Sequence, residues 1–218
     1  EHPEAELIII EVDTLGGIVD AAIQIRDLLL SEGRPVVAYI YRRAISAGAL
    51  ISYAADHIVF SPGSTMGAAT PIQLDKGQAK AVGEKMVSYF RSEMRATAEA
   101  NGRDGDLAEA MVDADKVVPG VSVKGKLLTL TRDMAEKFGV ASGFYDSPDD
   151  LYTALGFKKN QVARAEETWS ENIARAVTDP TLSGLLMSIG MLGIMIELYT
   201  PGVGLAGILG FLSLLCFF

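Results

Sequence analysis

Ser46 is the residue of this sequence best suited to do chemistry, because it stands where a predicted strand turns into a predicted helix. The apolar run Pro35–Tyr41 predicts the strand, and the small residues from Ser46 to Ala55 predict the helix. A serine at such a turn presents its hydroxyl outward, and the backbone N–H groups that follow point at the same space. This arrangement suits nucleophilic attack on an acyl group. A serine before a helix is also a common N-cap, and the local sequence leaves both interpretations open.

A double glycine, Gly16-Gly17, follows the buried strand predicted at Leu7–Val12 and opens another helix. Glycines at this position let backbone N–H groups face a ligand at the positive end of the helix dipole. The N–H groups of Gly17 and Ala47 can together form an oxyanion hole beside Ser46. A plain glycine turn that binds nothing is the alternative.

Lys85 is the candidate general base. A long helix is predicted from about Gln78 to Ala100, and on it the neighbours of Lys85 are Ala81, Val82 and Tyr89, which form an apolar stripe. A lysine on such a face either extends to the surface or is held in a dry site. In a dry site burial favours the neutral amine, which can take a proton from a serine. The sequence leaves both outcomes open and does not by itself place Lys85 beside the serine.

Histidine and cysteine are scarce: the chain has His2, His57 and Cys216. These numbers exclude a disulfide framework within the chain and argue against a multi-histidine metal site, so no metal or cofactor is predicted. His57 is separated from Ser46 by the whole intervening helix, and we interpret it as a structural residue. A serine site without a nearby histidine favours a Ser-Lys pair over a Ser-His-Asp triad.

Strand and helix patterns alternate from residue 7 to about residue 150, which is typical of an α/β fold with a mostly parallel sheet. We therefore expect one α/β domain over residues 1–155. A polar linker follows at 156–181, and within it Trp169–Val177 predicts a short amphipathic helix at a membrane interface. The formal net charge of −9 argues against a nucleic-acid partner, because phosphate binding needs clustered lysine and arginine.

The last segment, residues 182–218, is almost entirely apolar. Glu197, Tyr199 and Cys216 are its ionisable side chains, and Pro201 interrupts it. Each of the two apolar pieces is shorter than the about 20 residues of a membrane helix, so either alone also fits a core helix or an oligomer contact. Together they predict the start of a multi-pass membrane domain that continues in a longer parent protein.

Seven segments stand in a recognisable order along the chain: Asp13–Gly17, Arg43–Ile51, Ala54–Ile58, Ser61–Pro71, Lys85–Phe90, Gly125–Thr131 and Glu197–Gly204. On these motifs the chain resembles the NfeD family of membrane-bound serine proteases, which are often encoded beside stomatin-like proteins. The resemblance implies a Clp-protease-like, crotonase-type α/β fold, a spiral of parallel strands and helices followed by C-terminal transmembrane helices.

The resemblance also assigns roles to individual residues. Ser46 is implied to be the nucleophile, Lys85 the general base, and Gly17 and Ala47 the donors of the oxyanion N–H groups. A homodimer or higher homo-oligomer at a lipid bilayer is implied, with hydrophobic peptide or protein substrates that include stomatin-like membrane proteins. The family's protease domain commonly faces outside the cytoplasm.

Three departures from the family pattern are visible. Leu15 stands where many relatives have proline, although both glycines after it are kept. The strand that normally precedes the position of Glu1 is expected to be missing, as is the soluble domain that longer members carry after the membrane segments. A crotonase-type core without an edge element is expected to be less stable.

The sequence thus favours a membrane-anchored endopeptidase with a Ser-Lys dyad. A second interpretation is an acyl-CoA hydratase or isomerase, since crotonase-type folds also use paired backbone N–H groups. Such enzymes usually carry acidic residues at the site and have no membrane tail. A third interpretation is a catalytically silent membrane scaffold that binds stomatin-like partners.

Overall fold

The computed structural model describes residues 4–75, 78–165, 169, 173, 177, 179–199 and 204–217. These residues belong to two compact units, Glu1–Val162 and Ala163–Phe218. Most of the predicted interfacial helix Trp169–Val177 lies outside the described residues, so that helix stays a prediction.

The first unit combines eight described strands with six α-helices and one short 3-10 helix at Lys159–Gln161. The strands are β1 (Ile8–Thr14), β2 (Val36–Ile45), β3 (His57–Phe60), β4 (Thr65–Gly67), β5 (Ile72–Asp75), β6 (Gln78–Ala81), β7 (Thr129–Thr131) and β8 (Gly143–Phe144). The helices are α1 (Val19–Leu30), α2 (Ala47–Tyr53), α3 (Glu84–Ala100), α4 (Gly105–Val112), α5 (Arg132–Lys137) and α6 (Pro148–Ala154).

Strand β2 is the centre of the sheet. It pairs in parallel with β1, β3 and β4, β8 extends the sheet in parallel beyond β3, and β7 closes the other side antiparallel to β4. The predicted mostly parallel α/β arrangement is therefore confirmed. Strands β5 and β6, which follow β4 and precede α3 in the chain, form a separate antiparallel pair.

Both faces of β2 are covered, which explains its continuous apolar run. Val36, Ala38 and Ile40 point into the main core, where helices α2, α3 and α4 contribute most of the helical side chains. Val37 and Tyr39 point to the opposite face, into a smaller cluster with Leu151 of α6 and Val59 of β3. The alternation follows the two-residue period of a strand.

A bulge in β2 aims the end of the strand toward the candidate site. Val12 pairs with Ile40 and Thr14 pairs with Ala44, so two steps along β1 match four steps along β2. At the bulge β2 changes its neighbour from β3 to β4. Bulges of this kind bend a strand and redirect the residues that follow, and here the residue that follows the strand is Ser46.

The prediction that the long helix begins at about Gln78 was wrong. Residues Gln78–Ala81 form β6, which pairs with β5 (Ile72–Asp75), and the helix begins only at Glu84. Gly83 occupies the N-cap with an extended conformation, φ −64° and ψ 155°. The cross-strand pairing outweighs the helical spacing of the residues before Gly83, because β pairing is a tertiary interaction that local periodicity does not report.

The second unit contains two apolar helices, α7 (Pro180–Tyr199) and α8 (Leu205–Phe217). Thr181–Tyr199 is long and apolar enough to cross a membrane, whereas α8 is shorter. The helices touch backbone to backbone: a Cβ added to Gly193 would lie 2.5 Å from the carbonyl oxygen of Ala206 and 2.8 Å from the Cα of Gly210. Small residues at such a crossing permit the close packing typical of membrane helices.

Candidate active site

Ser46 has a strained backbone, and its hydroxyl forms no hydrogen bond among the residues that the structure describes. It holds the N-cap position of α2 with φ 56° and ψ −117°, and its side chain accepts no hydrogen bond from the helix. Ser46 thus occupies the N-cap position, as the alternative interpretation expected, but its side chain does not cap the helix. A non-glycine residue at positive φ costs on the order of 1–3 kcal/mol and is kept where the surrounding structure enforces it, often at functional sites.

The structure brings the double glycine against Ser46. A Cβ built on Gly16 would lie 2.9 Å from the Cβ of Ser46 and 3.2 Å from its Oγ, and a Cβ on Gly17 would lie 3.8 Å from the Cβ of Ala47. Gly16 also has a φ of 136°, so both its conformation and its close approach require glycine. The predicted set of Ser46, Gly17 and Ala47 is thus assembled in one place.

Two backbone donors at this place are unengaged. Within the described part of the chain, neither the N–H of Gly17 nor the N–H of Ala47 donates a hydrogen bond. Gly17 is exposed, whereas Ala47 begins helix α2 and is buried. Unpaired N–H groups at a helix N-terminus favour negative charge, so the arrangement can bind a developing oxyanion.

The N–H of Ser46 is held by the last residue of β4. It donates to the carbonyl of Gly67 at 3.0 Å. Gly67 has a φ of 142°, and a Cβ there would lie 2.4 Å from the carbonyl oxygen of Leu128. Ala68, at a φ of 43°, donates its N–H to the same Leu128 carbonyl at 3.0 Å. This second turn fixes the backbone of Ser46, and it was not identified from the sequence.

Thr14 is a further residue that the sequence analysis did not single out. Its Oγ1 lies 3.0 Å from the N of Gly16 and 3.0 Å from the carbonyl oxygen of Gly16. A threonine two residues before a glycine is a sequence signal for such a side-chain turn, so this contact was open to prediction.

The far end of α2 is clamped by a cation. Arg103 donates from Nη1 to the carbonyls of Tyr53 at 3.1 Å and Ala55 at 2.8 Å, and from Nη2 to the carbonyl of Asp56 at 2.8 Å. Burial lowers the pKa of the Arg103 guanidinium. The Tyr53 carbonyl also accepts from Asn101 Nδ2 at 2.8 Å. A positive charge on the last carbonyls of a helix binds acceptors that have no partner within the helix and complements the helix dipole. The clamp therefore anchors the helix whose first turn carries the site.

Of the two outcomes left open for Lys85, a dry site and the surface, the structure shows the surface. It is exposed as the second residue of α3, and Ala81 and Val82 precede that helix, so the apolar stripe inferred for it does not exist. Among the described residues, Lys85 forms no hydrogen bond or ion pair, including none with Ser46. Its role as general base stays a prediction.

His57 is exposed at the first position of β3, where it pairs with Val37. Helix α2 separates it from Ser46 along the chain, and its seven residues correspond to about 10 Å of helix. Among the residues that the structure describes, no group of three or more His, Cys, Asp or Glu side chains is placed to hold a metal ion.

Family profiles match both parts of the chain. The profile described as NfeD1b, N-terminal domain, matches residues 1–165, and the NfeD integral membrane domain matches residues 181–218. The chain belongs to the NfeD family. The family predicted from the sequence motifs is confirmed, and this NfeD chain carries the integral membrane domain at its C-terminal end.

Two curated relatives extend the comparison. The membrane protein NfeD1b of Bacillus subtilis (strain 168) is 42% identical over 98% of this chain and 48% of the relative. The membrane-bound protease PH1510 of Pyrococcus horikoshii is 29% identical over 93% of this chain and 48% of the relative. The NfeD chain described here therefore spans about half the length of the curated relatives that it matches.

Solved structures of a related protease share the fold. A lysine-to-alanine mutant of the 1510-N membrane-bound stomatin-specific protease, in complex with a substrate peptide, aligns with a TM-score of 0.65 and 25% identity, over 81% of this NfeD chain and 84% of the other. A serine-to-alanine mutant of the same protease aligns with a TM-score of 0.59 and 30% identity, over 69% of each chain. The fold class expected from the sequence is confirmed.

Proposed function

We propose that this NfeD chain is the catalytic and anchoring part of a membrane-bound serine endopeptidase, with Ser46 as its nucleophile. The observation that carries the proposal is the strained Ser46, whose side chain meets Gly16 while the N–H groups of Gly17 and Ala47 form no hydrogen bond with any described residue. A nucleophile beside two oxyanion donors, activated by a general base, is the arrangement that acyl transfer uses.

The reaction proceeds through an acyl-enzyme. Lys85 takes the proton of the Ser46 hydroxyl, Oγ attacks the peptide carbonyl, and the N–H groups of Gly17 and Ala47 bind the resulting oxyanion. When the carbonyl re-forms, the C–N bond breaks and the leaving amine receives the proton from Lys85. Water, deprotonated by the neutral Lys85 amine, then attacks the ester, and Ser46 leaves with its proton restored.

The assignment of the base to Lys85 is supported by its position and by the related protease. Lys85 stands in the first turn of α3, directly after the β5–β6 pair. The related protease was solved as serine-to-alanine and lysine-to-alanine mutants, the two residue types of the proposed dyad. Because Lys85 is exposed in this structure, the proposal requires that it moves next to Ser46 when substrate covers the site, where desolvation favours the neutral amine.

We assign hydrophobic segments of membrane-associated proteins as the substrates, with stomatin-like proteins as substrates and partners. The 1510-N protease is described as stomatin-specific. In the present chain Leu15 and Ile18, which flank the double glycine, are 69% and 76% exposed and offer apolar surface beside the candidate oxyanion hole. Apolar side chains of an extended peptide can be desolvated there.

The proposed organisation places a protease domain at residues 1–155, a linker at 156–181 and a membrane segment at 182–218. The protease domain is assigned to the outside of the cytoplasm, and the working unit to a homodimer or higher homo-oligomer. The match of the integral membrane domain to residues 181–218 supports the membrane segment.

A serine-directed fluorophosphonate probe tests the dyad. The wild-type chain, Ser46→Ala, Lys85→Ala and Lys85→Arg are labelled in detergent over a range of pH, and cleavage of a quenched peptide with leucine and valine around the scissile bond is followed in parallel. We expect labelling to require Ser46 and to fall at least about a hundredfold without Lys85. A folded wild-type chain that neither labels nor cleaves, but still captures a stomatin-like protein, would establish the scaffold interpretation instead.

A further inference from the structure

Thr14 is the last residue of β1 and touches both parts of the candidate site. Its hydroxyl oxygen accepts the N–H of Gly16 at 3.0 Å and lies 3.0 Å from the carbonyl oxygen of the same glycine, to which it donates. Its methyl carbon Cγ2 would be 2.6 Å from a Cβ on Gly48, the second residue of helix α2. One face of Thr14 therefore holds the glycine turn, and the other packs on the helix that begins at the nucleophile.

The hydrogen bond to the Gly16 carbonyl fixes the orientation of a whole peptide group. The carbonyl of Gly16 and the N–H of Gly17 belong to one peptide unit, and cis bonds are absent from the described backbone. In a trans peptide these two groups point in opposite directions. While the Gly16 carbonyl faces the Thr14 hydroxyl, the Gly17 N–H therefore faces away from Thr14.

The peptide between two glycines is the easiest kind to rotate, because neither residue has a Cβ that restricts its φ and ψ. A rotation of about 180° would exchange the two groups and present the Gly16 carbonyl where the Gly17 N–H had been. A carbonyl oxygen in that position would repel an oxyanion instead of stabilising it. An interaction must therefore keep the Gly16–Gly17 peptide from rotating. In the described structure, the side chain that bonds to the Gly16 carbonyl is that of Thr14.

We propose that Thr14 is a positioning residue that holds the Gly16–Gly17 peptide in the orientation in which Gly17 N–H serves as an oxyanion donor. The role rests on the proposed function, since it requires Ser46 to be the nucleophile. Thr14 touches neither the substrate nor the reacting atoms and acts only through the peptide that it holds.

Two matched pairs of residues isolate the hydroxyl at position 14. Threonine and valine have nearly the same shape and differ in the hydroxyl, and Thr14→Ser and Thr14→Ala differ from each other in the same way. The full chain in detergent is measured for the wild type and for Thr14→Val, Thr14→Ser, Thr14→Ala and Ser46→Ala. The readouts are kcat and KM for the leucine- and valine-containing peptide, the rate of fluorophosphonate labelling, and the melting temperature.

We expect kcat and the labelling rate to fall about tenfold to a hundredfold in Thr14→Val and Thr14→Ala, because an oxyanion donor is lost from most of the population. KM should change less than about threefold, since an interaction made only in the transition state is affected. Thr14→Ser should stay within about threefold of the wild type in both rates. If the valine variant does not fold, the serine and alanine pair supplies the same comparison.

Several results would overturn the role. Equal rates in Thr14→Ser and Thr14→Ala, or a Thr14→Val variant as fast as the wild type, would show that the hydroxyl is not needed. If Ser46→Ala were inactive in the same experiment, the proposed function would survive. A rise in KM at constant kcat would assign Thr14 to substrate binding. Cleavage and labelling that persist in Ser46→Ala, or are missing from the folded wild type, would remove the proposed function and this inference together.

Discussion

The N–H of Ser46 donates a hydrogen bond to the carbonyl of Gly67 at 3.0 Å, and both residues have positive φ, 56° and 142° respectively. The two turns therefore fix each other: the end of β4 holds the backbone of Ser46, and the N–H of Ser46 satisfies a carbonyl of β4. Strain of this kind persists only where neighbouring contacts over-determine the conformation.

Gly67→Ala is expected to abolish fluorophosphonate labelling and to lower the free energy of unfolding by about 3 kcal/mol or more. The new Cβ would lie 2.4 Å from the carbonyl oxygen of Leu128, a backbone atom that cannot move aside. Gly63→Ala is the matched control, because Gly63 also has positive φ but nothing lies within 4 Å of its Cβ position. Gly63→Ala should lower the free energy of unfolding by only about 1–2 kcal/mol and should still be labelled by the fluorophosphonate. Equal losses in urea unfolding of the two variants would contradict the close-approach explanation.

Arg103→Met is expected to lower the free energy of unfolding by about 2–4 kcal/mol, because three carbonyls at the end of α2 lose a charged donor. Urea unfolding followed by circular dichroism measures the change. Arg42→Met is the control, because Arg42 stacks over the exposed ring of Tyr41 at 5.1 Å. This substitution should lower the free energy of unfolding by at most about 1 kcal/mol. If both variants lost the same stability, the clamp on α2 would be unimportant.

An ion cluster that joins α3 to α4 predicts acid sensitivity. Hydrogen bonds from Lys116 and then Arg95 lower the pKa of Asp106, and a hydrogen bond from Arg95 lowers the pKa of Glu109 despite its partial burial. A carboxyl whose pKa is lowered by folding stabilises the native state fully above its unfolded pKa, near 4, and loses that contribution as pH falls through the folded value.

The free energy of unfolding should therefore decrease as the pH is lowered from about 5 through 4 and below. Glu109→Gln should flatten this dependence, whereas Glu136→Gln, on the exposed surface of α5, should leave it unchanged. Denaturant titrations at several pH values measure the slope. An identical slope in the wild type and Glu109→Gln would mean that the cluster does not couple to folding.

Gly193→Val is expected to lower the melting temperature of the chain in detergent, because the added carbons would collide with the carbonyl of Ala206 and with Gly210. The two helices must then separate, at a cost of about 2 kcal/mol or more. Gly184→Val, on the same helix with nothing within 4 Å of its Cβ position, is the control and should melt close to the wild type. Equal melting temperatures for the two variants would show that α7 and α8 do not depend on this crossing.

The residues of the site could be predicted from local sequence because the signals are local. A serine between an apolar run and a run of small residues, and a double glycine after another apolar run, place Ser46, Ala47 and Gly17 at strand-to-helix turns whatever the rest of the fold does. The carboxyl ends of adjacent parallel strands lie at the same edge of a sheet, so their convergence follows from the predicted α/β class. The apolar character of residues 182–218 likewise follows from composition alone.

Tertiary structure alone decided how these residues are held. The positive φ of Ser46, the carbonyl of Gly67 beneath it and the close approach of Gly67 to Leu128 join segments far apart in the chain, and no local period encodes them. The surroundings of Lys85 depended on the same kind of information: the pairing of β5 with β6 overrode a helical pattern and removed its apolar stripe. Local sequence specifies which conformations are low in free energy, whereas pairing and packing between distant segments select which of them the folded chain adopts.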